Sequence, residues 1–173
     1  MENFNFAMLE YKRPDLEAYR TKLIAWKNEV ESAKNYQELR KLIFEIDCEK
    51  SALHTQYSIA YIRHTLDTRD EFYEAEITYW QNTLPTLGSE EVSLSEAIAA
   101  SSFHLEMEKE FGKQYFVSMN LQKKLFCEAN IPLRQQESRL TNEYQKIMAT
   151  AEILFDGKTL NLYGVQKYFE HPD

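Results

Sequence analysis

The chain has 173 residues, 43% of them hydrophobic and 13% aromatic, which is enough for one domain with a real core and too apolar for a disordered segment. Its net charge of −8 argues against a nucleic-acid partner or an anionic membrane surface, both of which need clustered Lys and Arg. No apolar run approaches the roughly 20 residues of a membrane span, the opening M-E-N-F-N-F-A-M-L-E lacks the regions of a signal peptide, and the two cysteines, Cys48 and Cys127, make neither a disulfide framework nor a zinc site.

Both thiols are expected to be reduced and partly buried, as in a cytoplasmic protein. Only four Gly and four Pro occur, and that scarcity favours helices. Residues 1–13 read as an N-terminal arm, its first ten residues loosely held. Pro14 opens a first helix, with Asp15 and Glu17 favourable at its start. Leu16, Tyr19, Leu23, Trp26 and Val30 form its apolar stripe. Asn35, with Glu38 three residues on, caps a second helix whose stripe runs Tyr36, Leu39, Ile43, Ile46, Leu53, Tyr57 and Ala60. A third helix runs to about Thr83 and is closed by Pro85 and Gly88. Ser93-Leu94-Ser95-Glu96 reads as the start of a fourth. Phe103–Phe111 and 113–127 follow on either side of Gly112, the latter with Phe116, Leu121 and Leu125 inward. The next helix covers about 133–149, with Leu140, Tyr144, Ile147 and Met148 inward. Then Glu152–Phe155 and 158–162 flank Asp156-Gly157, a strong hairpin signal. Gly164 ends the hairpin and 165–169 reads as a short helical turn. The closing His171-Pro172-Asp173 resembles a helix start and suggests the front of a longer polypeptide. The expected fold is mainly α: an antiparallel bundle of about six helices over 14–151, a small β-hairpin over 152–163, and the start of a following region over 164–173, all in one domain.

The densest cluster of charge lies at Ala60–Glu76. Arg63, His64, Asp67, Arg69, Asp70 and Glu71 crowd together while apolar positions continue at helical spacing: Ile59, Ile62 and Leu66 before them, Tyr73, Ile77, Trp80 and Leu84 after. Arg69 falls in phase with that stripe. A buried cation must be paired, so Arg69 is expected to be mostly buried against Asp67 or Asp70. Thr68-Arg69-Asp70-Glu71 has the form of a capping box, which breaks the rod into two helices at Thr68. The cluster then reads as a structural ion-pair corner of Arg63, Asp67, Arg69 and Asp70.

Catalytic motifs are missing. There is no H-E-x-x-H, no G-x-S-x-G and no phosphate-binding Gly loop. His54 and His64 fall on different sides of a helix. His104 and Glu108 are one turn apart, an ordinary solvated pairing. The Asp67, Asp70, Glu71 and Glu74 carboxylates sit among arginines, which lower carboxylate pKa values rather than poise them for acid–base work. Neither cysteine has a His within a helical turn to activate it. Most aromatics lie on the helical stripes; Tyr61 and Tyr73 near the corner, and Tyr79, are kept as surface contacts because they offer a hydroxyl as well as a ring.

Four segments, in order, resemble one family. Arg63-His64-Thr65-Leu66-Asp67-Thr68-Arg69-Asp70-Glu71-Phe72-Tyr73 is similar to the R-H-T-x-D-T-R-D-E-F-Y signature of the oligoendopeptidase F type of thimet-like zinc metallopeptidases. Phe155-Asp156-Gly157-Lys158-Thr159-Leu160-Asn161-Leu162-Tyr163-Gly164 resembles that family's F-D-G-K-T-L-N-L-x-G hairpin. Tyr11-Lys12-Arg13-Pro14-Asp15-Leu16 and Phe111-Gly112-Lys113-Gln114-Tyr115-Phe116 also fit. The resemblance implies a mainly helical cytoplasmic enzyme that cuts short oligopeptides in a deep cleft. Its zinc ligands are the two His of H-E-x-x-H and a later Glu, and the motif Glu is the general base. These residues lie beyond the point where this chain ends, so no catalytic or metal residue carries over and the chain is expected to be inactive alone.

On this reading the chain is the N-terminal, non-catalytic helical domain of a zinc-dependent oligoendopeptidase, contributing to the substrate cleft. Zinc belongs to the full-length enzyme, and the partners are the catalytic remainder and oligopeptide substrates. His64, Tyr61 and Tyr73 are the candidate cleft contacts. The alternative is a free-standing helical module that binds peptide or protein without catalysis. A third, carboxylate chemistry over Asp67–Glu74, lacks a poised acid. Apolar surface left for a missing partner is expected to drive homo-oligomerisation through the hairpin or the cleft-facing helices.

Overall fold

The computed structural model describes residues 5–169; the expected helix start at residues 171–173 lies outside them. The chain folds as a helical bundle with one antiparallel two-stranded hairpin near its C-terminal end. Helix α1 spans Leu16–Ser32, α2 Tyr36–Leu66, α3 Glu71–Thr83, α4 Gly88–Ala99, α5 His104–Phe111, α6 Lys113–Leu125 and α7 Ile131–Thr150. Strands β1 (Ile153–Phe155) and β2 (Lys158–Leu160) follow, then the five-residue α8 (Leu162–Gln166). Among the described residues, no helix is long and apolar enough to cross a membrane.

Local chemistry explains most boundaries. Asp15 caps α1, its carboxylate accepting from the Ala18 amide at 2.9 Å. Asn35 accepts from the Glu38 amide at 3.0 Å while Glu38 accepts from the Lys34 amide at 3.0 Å, so an orphan donor of the helix and the amide just before its cap are both satisfied. Gly112, at φ +81, separates α5 from α6. In the hairpin, Asp156 (φ 50) and Gly157 (φ 68) both lie in the left-handed region, as a two-residue turn joining right-twisted strands requires. The register pairs Ile153 with Leu160 and Phe155 with Lys158.

The core sits where α1, α2, α3 and α4 meet. All five stripe residues of α1 are buried, and Leu39, Ile43, Ile46 and Ala60 of α2, Ile77 and Trp80 of α3 and Leu94 and Ile98 of α4 join them. Burying a side chain of this kind contributes about 1.5–3 kcal/mol. Helix α1 packs on α4 and α2, α3 on α2, and α6 on α4 and α5. Helix α7 reaches the bundle through α3 and the 3-10 turn Leu84–Leu87.

Several expectations need correction. The fourth helix starts at Gly88, not Ser93, because Gly88 takes up helical angles (φ −59) directly out of the 3-10 turn. The cap of α3 is Asp70, whose carboxylate accepts from the Phe72 and Tyr73 amides; Thr68 lies in the turn before it. Gly164 falls inside α8, its amide donating to Asn161 Oδ1 at 2.8 Å. Cys48 and Cys127 are exposed rather than partly buried. Leu121 and Leu125 of α6 and Leu140, Tyr144 and Ile147 of α7 face outward, not into the bundle.

Candidate functional site: the corner and the polar groove between α3 and α7

The break between α2 and α3 is built from side chains that turn back on their own backbone. Asp67 accepts from both the amide and the guanidinium of Arg69, each at 3.1 Å. Those bonds, the amide's first, hold its carboxyl below the usual carboxylate range. The Arg69 side chain is 83% exposed, which corrects the expectation of a buried cation. Its apparent phase failed because α2 ends at Leu66, itself exposed, and the inward face of the last turn is Ala60 and His64. Asp70 is spent on the cap of α3. Among the described residues, Arg63 meets no carboxylate within ion-pair distance; it donates to the Tyr73 hydroxyl and the Leu9 carbonyl and lies over the Phe6 and Tyr73 rings. Tyr61 is exposed on one side and stacks on Tyr57, ring centroids 6.0 Å apart.

The in-phase charge is Glu76. It lies three residues after Tyr73 and four before Trp80, and it is 3% exposed. Arg13 grips it with two nitrogens, Nε at 2.9 and 3.1 Å and Nη2 at 2.6 Å. The Tyr11 hydroxyl donates to the same carboxylate at 2.6 Å and accepts from Trp80 Nε1 at 3.1 Å. Hydrogen bonds from Arg13 hold the Glu76 carboxyl low against the opposing effect of burial, and burial with the neighbouring Glu76 pushes the Tyr11 phenol up. Tyr79 adds a bond to the Pro14 carbonyl at 2.9 Å. The segment before α1 is therefore fastened to α3, and the Arg63 bond to the Leu9 carbonyl holds a residue of the stretch expected to be loose. The signal was in the sequence: an acid inside the Tyr73–Ile77–Trp80 stripe, with Tyr11 and Arg13 as its available partners.

His64 is almost fully buried, at 1% exposure. Its Nε2 lies 2.8 Å from Asn142 Oδ1 on α7, and its Nδ1 lies 3.6 Å from Glu74 Oε2 on α3. Glu74 also pairs with Lys146 of α7. Above this cluster, α3 and α7 enclose a groove of about 680 Å³. Gln81, Asn82, Gln135, Gln136 and Asn142 line it with carboxamides. Its charges cancel in place, Glu74 against Lys146 and Arg139 near Glu143. The groove therefore offers paired donors and acceptors with little net charge, a match for a peptide main chain rather than for a phosphate or a metal ion.

Among the described residues, no three His, Cys, Asp or Glu side chains are placed to hold a metal. His104 sets Nδ1 against the Ala99 carbonyl at 3.1 Å and Nε2 3.6 Å from Glu108, without a third ligand. This donor set does not fit a zinc site.

A model of the Peptidase M3 N-terminal domain family matches residues 6–126. No curated protein matches the sequence. Among solved structures, PZ peptidase A, crystallised with an inhibitor, superimposes with a TM-score of 0.91 at 30% identity over 98% of this chain and 30% of its own. A protein assigned as oligoendopeptidase F from Bacillus anthracis strain Ames does so with a TM-score of 0.85 at 28% identity, over 90% of this chain and 29% of its own. The chain thus spans about a third of the length of the peptidases it superimposes on. With the family model matched over most of its residues, the chain belongs to the M3 peptidases through their N-terminal domain.

Proposed function

We propose that this chain is the non-catalytic helical unit of a zinc-dependent, cytoplasmic oligoendopeptidase, contributing one wall of the cleft that admits short peptides. The observation that carries this reading is the superposition of nearly the whole chain on about a third of PZ peptidase A, joined to the family match over residues 6–126. Zinc and the groups that activate water would then come from the remaining two thirds of such an enzyme. The α3–α7 groove is the cleft-side candidate, since its carboxamides suit a peptide backbone. His64 would position Asn142 and Glu74 behind that surface, and Tyr61 and Tyr73 flank the corner.

The purified chain, supplied with zinc and an internally quenched peptide, is expected to show no turnover above buffer. Sustained hydrolysis that a chelator stops would defeat the proposal. The carboxamide groove also favours the second reading, a module that binds peptide unaided. Titration of the isotopically labelled chain with an unmodified octapeptide separates the two. Saturable shifts at Gln81, Gln135 and Gln136 below about 100 µM peptide favour the free-standing module, whereas one wall of a two-walled cleft binds only weakly.

A further inference from the structure

The sequence pattern of α7 and its surroundings disagree. Leu133, Leu140, Tyr144 and Ile147 recur at intervals of seven, four and three, the spacing of one helix face. All four are exposed, Tyr144 at 60% and Ile147 at 65%. The opposite face carries Gln135, Arg139, Asn142 and Lys146, and this is the face turned to α3. Gln135 donates to the Asn82 carbonyl at 2.6 Å, Asn142 meets His64 and Glu74, and Lys146 pairs with Glu74. Asn142 is the one buried residue of the helix. Helix α7 is therefore amphipathic the wrong way round for the bundle it lies on, polar side inward and apolar side outward. The elements after it also expose large apolar side chains, Leu154, Tyr163 and Phe169. An exposed apolar helix face of this kind marks a surface that another body covers.

Two findings say which body. The family's N-terminal domain model stops at residue 126, just before α7. The solved peptidases hold more than two thirds of their length outside the stretch they share with this chain. We propose that the outward face of α7, formed by Leu133, Leu140, Tyr144 and Ile147, seats the catalytic portion of an oligoendopeptidase. Helix α7, the hairpin and α8 then belong structurally to that portion, and the polar α3–α7 groove is the seam between the two. This rests on the function proposed above.

The test is the double substitution Leu140→Glu with Ile147→Glu, made in the 173-residue chain and in a chimera. In the chimera this chain replaces the equivalent N-terminal stretch of the Bacillus anthracis oligoendopeptidase F. In the chain alone the substituted face is open to water, so the melting temperature should move by less than about 2 °C, as for ordinary surface changes. In the chimera the unsubstituted protein should unfold in one transition. The double variant should unfold in two and be cut by protease between residues 126 and 131 at least tenfold faster. Unfolding of the isolated chain by the substitutions would make the face part of its own core and overturn the proposal. A chimera that still unfolds in one transition overturns the face while leaving the proposed function standing. A chimera whose two parts unfold independently even without the substitutions overturns both. A submicromolar dimer of the isolated chain, abolished by the double variant, would make a second copy the occupant and equally overturn it.

Discussion

Glu76 holds the segment before α1 to α3, and its energetics set a pH signature. Replacing Arg13 with Ala leaves a buried carboxylate with one partner, Tyr11. The expected cost is about 1–2 kcal/mol, less than for a fully buried pair because the Arg13 side chain is half exposed. The folded-state pKa of Glu76 lies below its unfolded value, so its stabilising effect is complete above roughly pH 4.3 and fades as pH falls through the depressed pKa. Urea unfolding of the wild type and of Arg13→Ala should differ fully at pH 7 and pH 5, and the gap should narrow steadily as the pH is taken down through the depressed pKa of Glu76. A gap that stays constant until the protein unfolds in acid would detach the effect from Glu76. Arg69→Ala, by contrast, should leave the unfolding midpoint where it is, since that side chain only decorates an exposed turn.

At the scale of elements, two glycines carry contrasting constraints. Gly157 needs its positive φ, and a Cβ added there would meet nothing within 4 Å, so Gly157→Ala should cost about 1–2 kcal/mol through backbone strain alone. Loss of hairpin amide protection with little change in the core melting transition would show it. Gly88 has ordinary helical angles, but a Cβ there would stand 2.3 Å from the Phe126 ring. Gly88→Ala should destabilise by about 1–3 kcal/mol through overpacking, and Phe126→Leu in the same chain should recover part of it. Equal destabilisation with and without that second change would rule out the steric cause. Helix α1 was fully legible in the sequence because the partners of its stripe, α2 and α4, lie in the same chain. The hairpin was legible because Asp156-Gly157 dictates its turn. Helix α7 was not, since periodicity reports that a face is to be covered without saying by what. The corner misled for a related reason: a capping box pointed to Thr68 as the helix start and the apolar phase pointed to Arg69 as the buried charge, whereas Asp70 offered a carboxylate cap and Glu76 was the charge that tertiary contacts buried.

Across the whole molecule, the two kinds of packing predict two levels of stability. Helices α1 to α4 share a continuous apolar core, and their central amides should open only with global unfolding. Helix α7 is held by hydrogen bonds and ion pairs beside a groove open to water, each worth only about 0.5–1.5 kcal/mol net. Its amides, with those of the hairpin and α8, should therefore exchange through a cheaper local opening that leaves the bundle folded. Hydrogen exchange on the isolated chain at neutral pH should show protection at least a hundredfold lower in 131–169 than at Leu23, Ile43 or Trp80, and that lower protection should be insensitive to small amounts of urea, as expected of an opening that exposes little surface. His64→Ala, which removes one of the two partners of Asn142, should lower protection in α7 further while leaving α1 unchanged. Equal protection across both regions, collapsing together with urea, would mean that the polar contacts of α7 bind it into the same cooperative unit as the core.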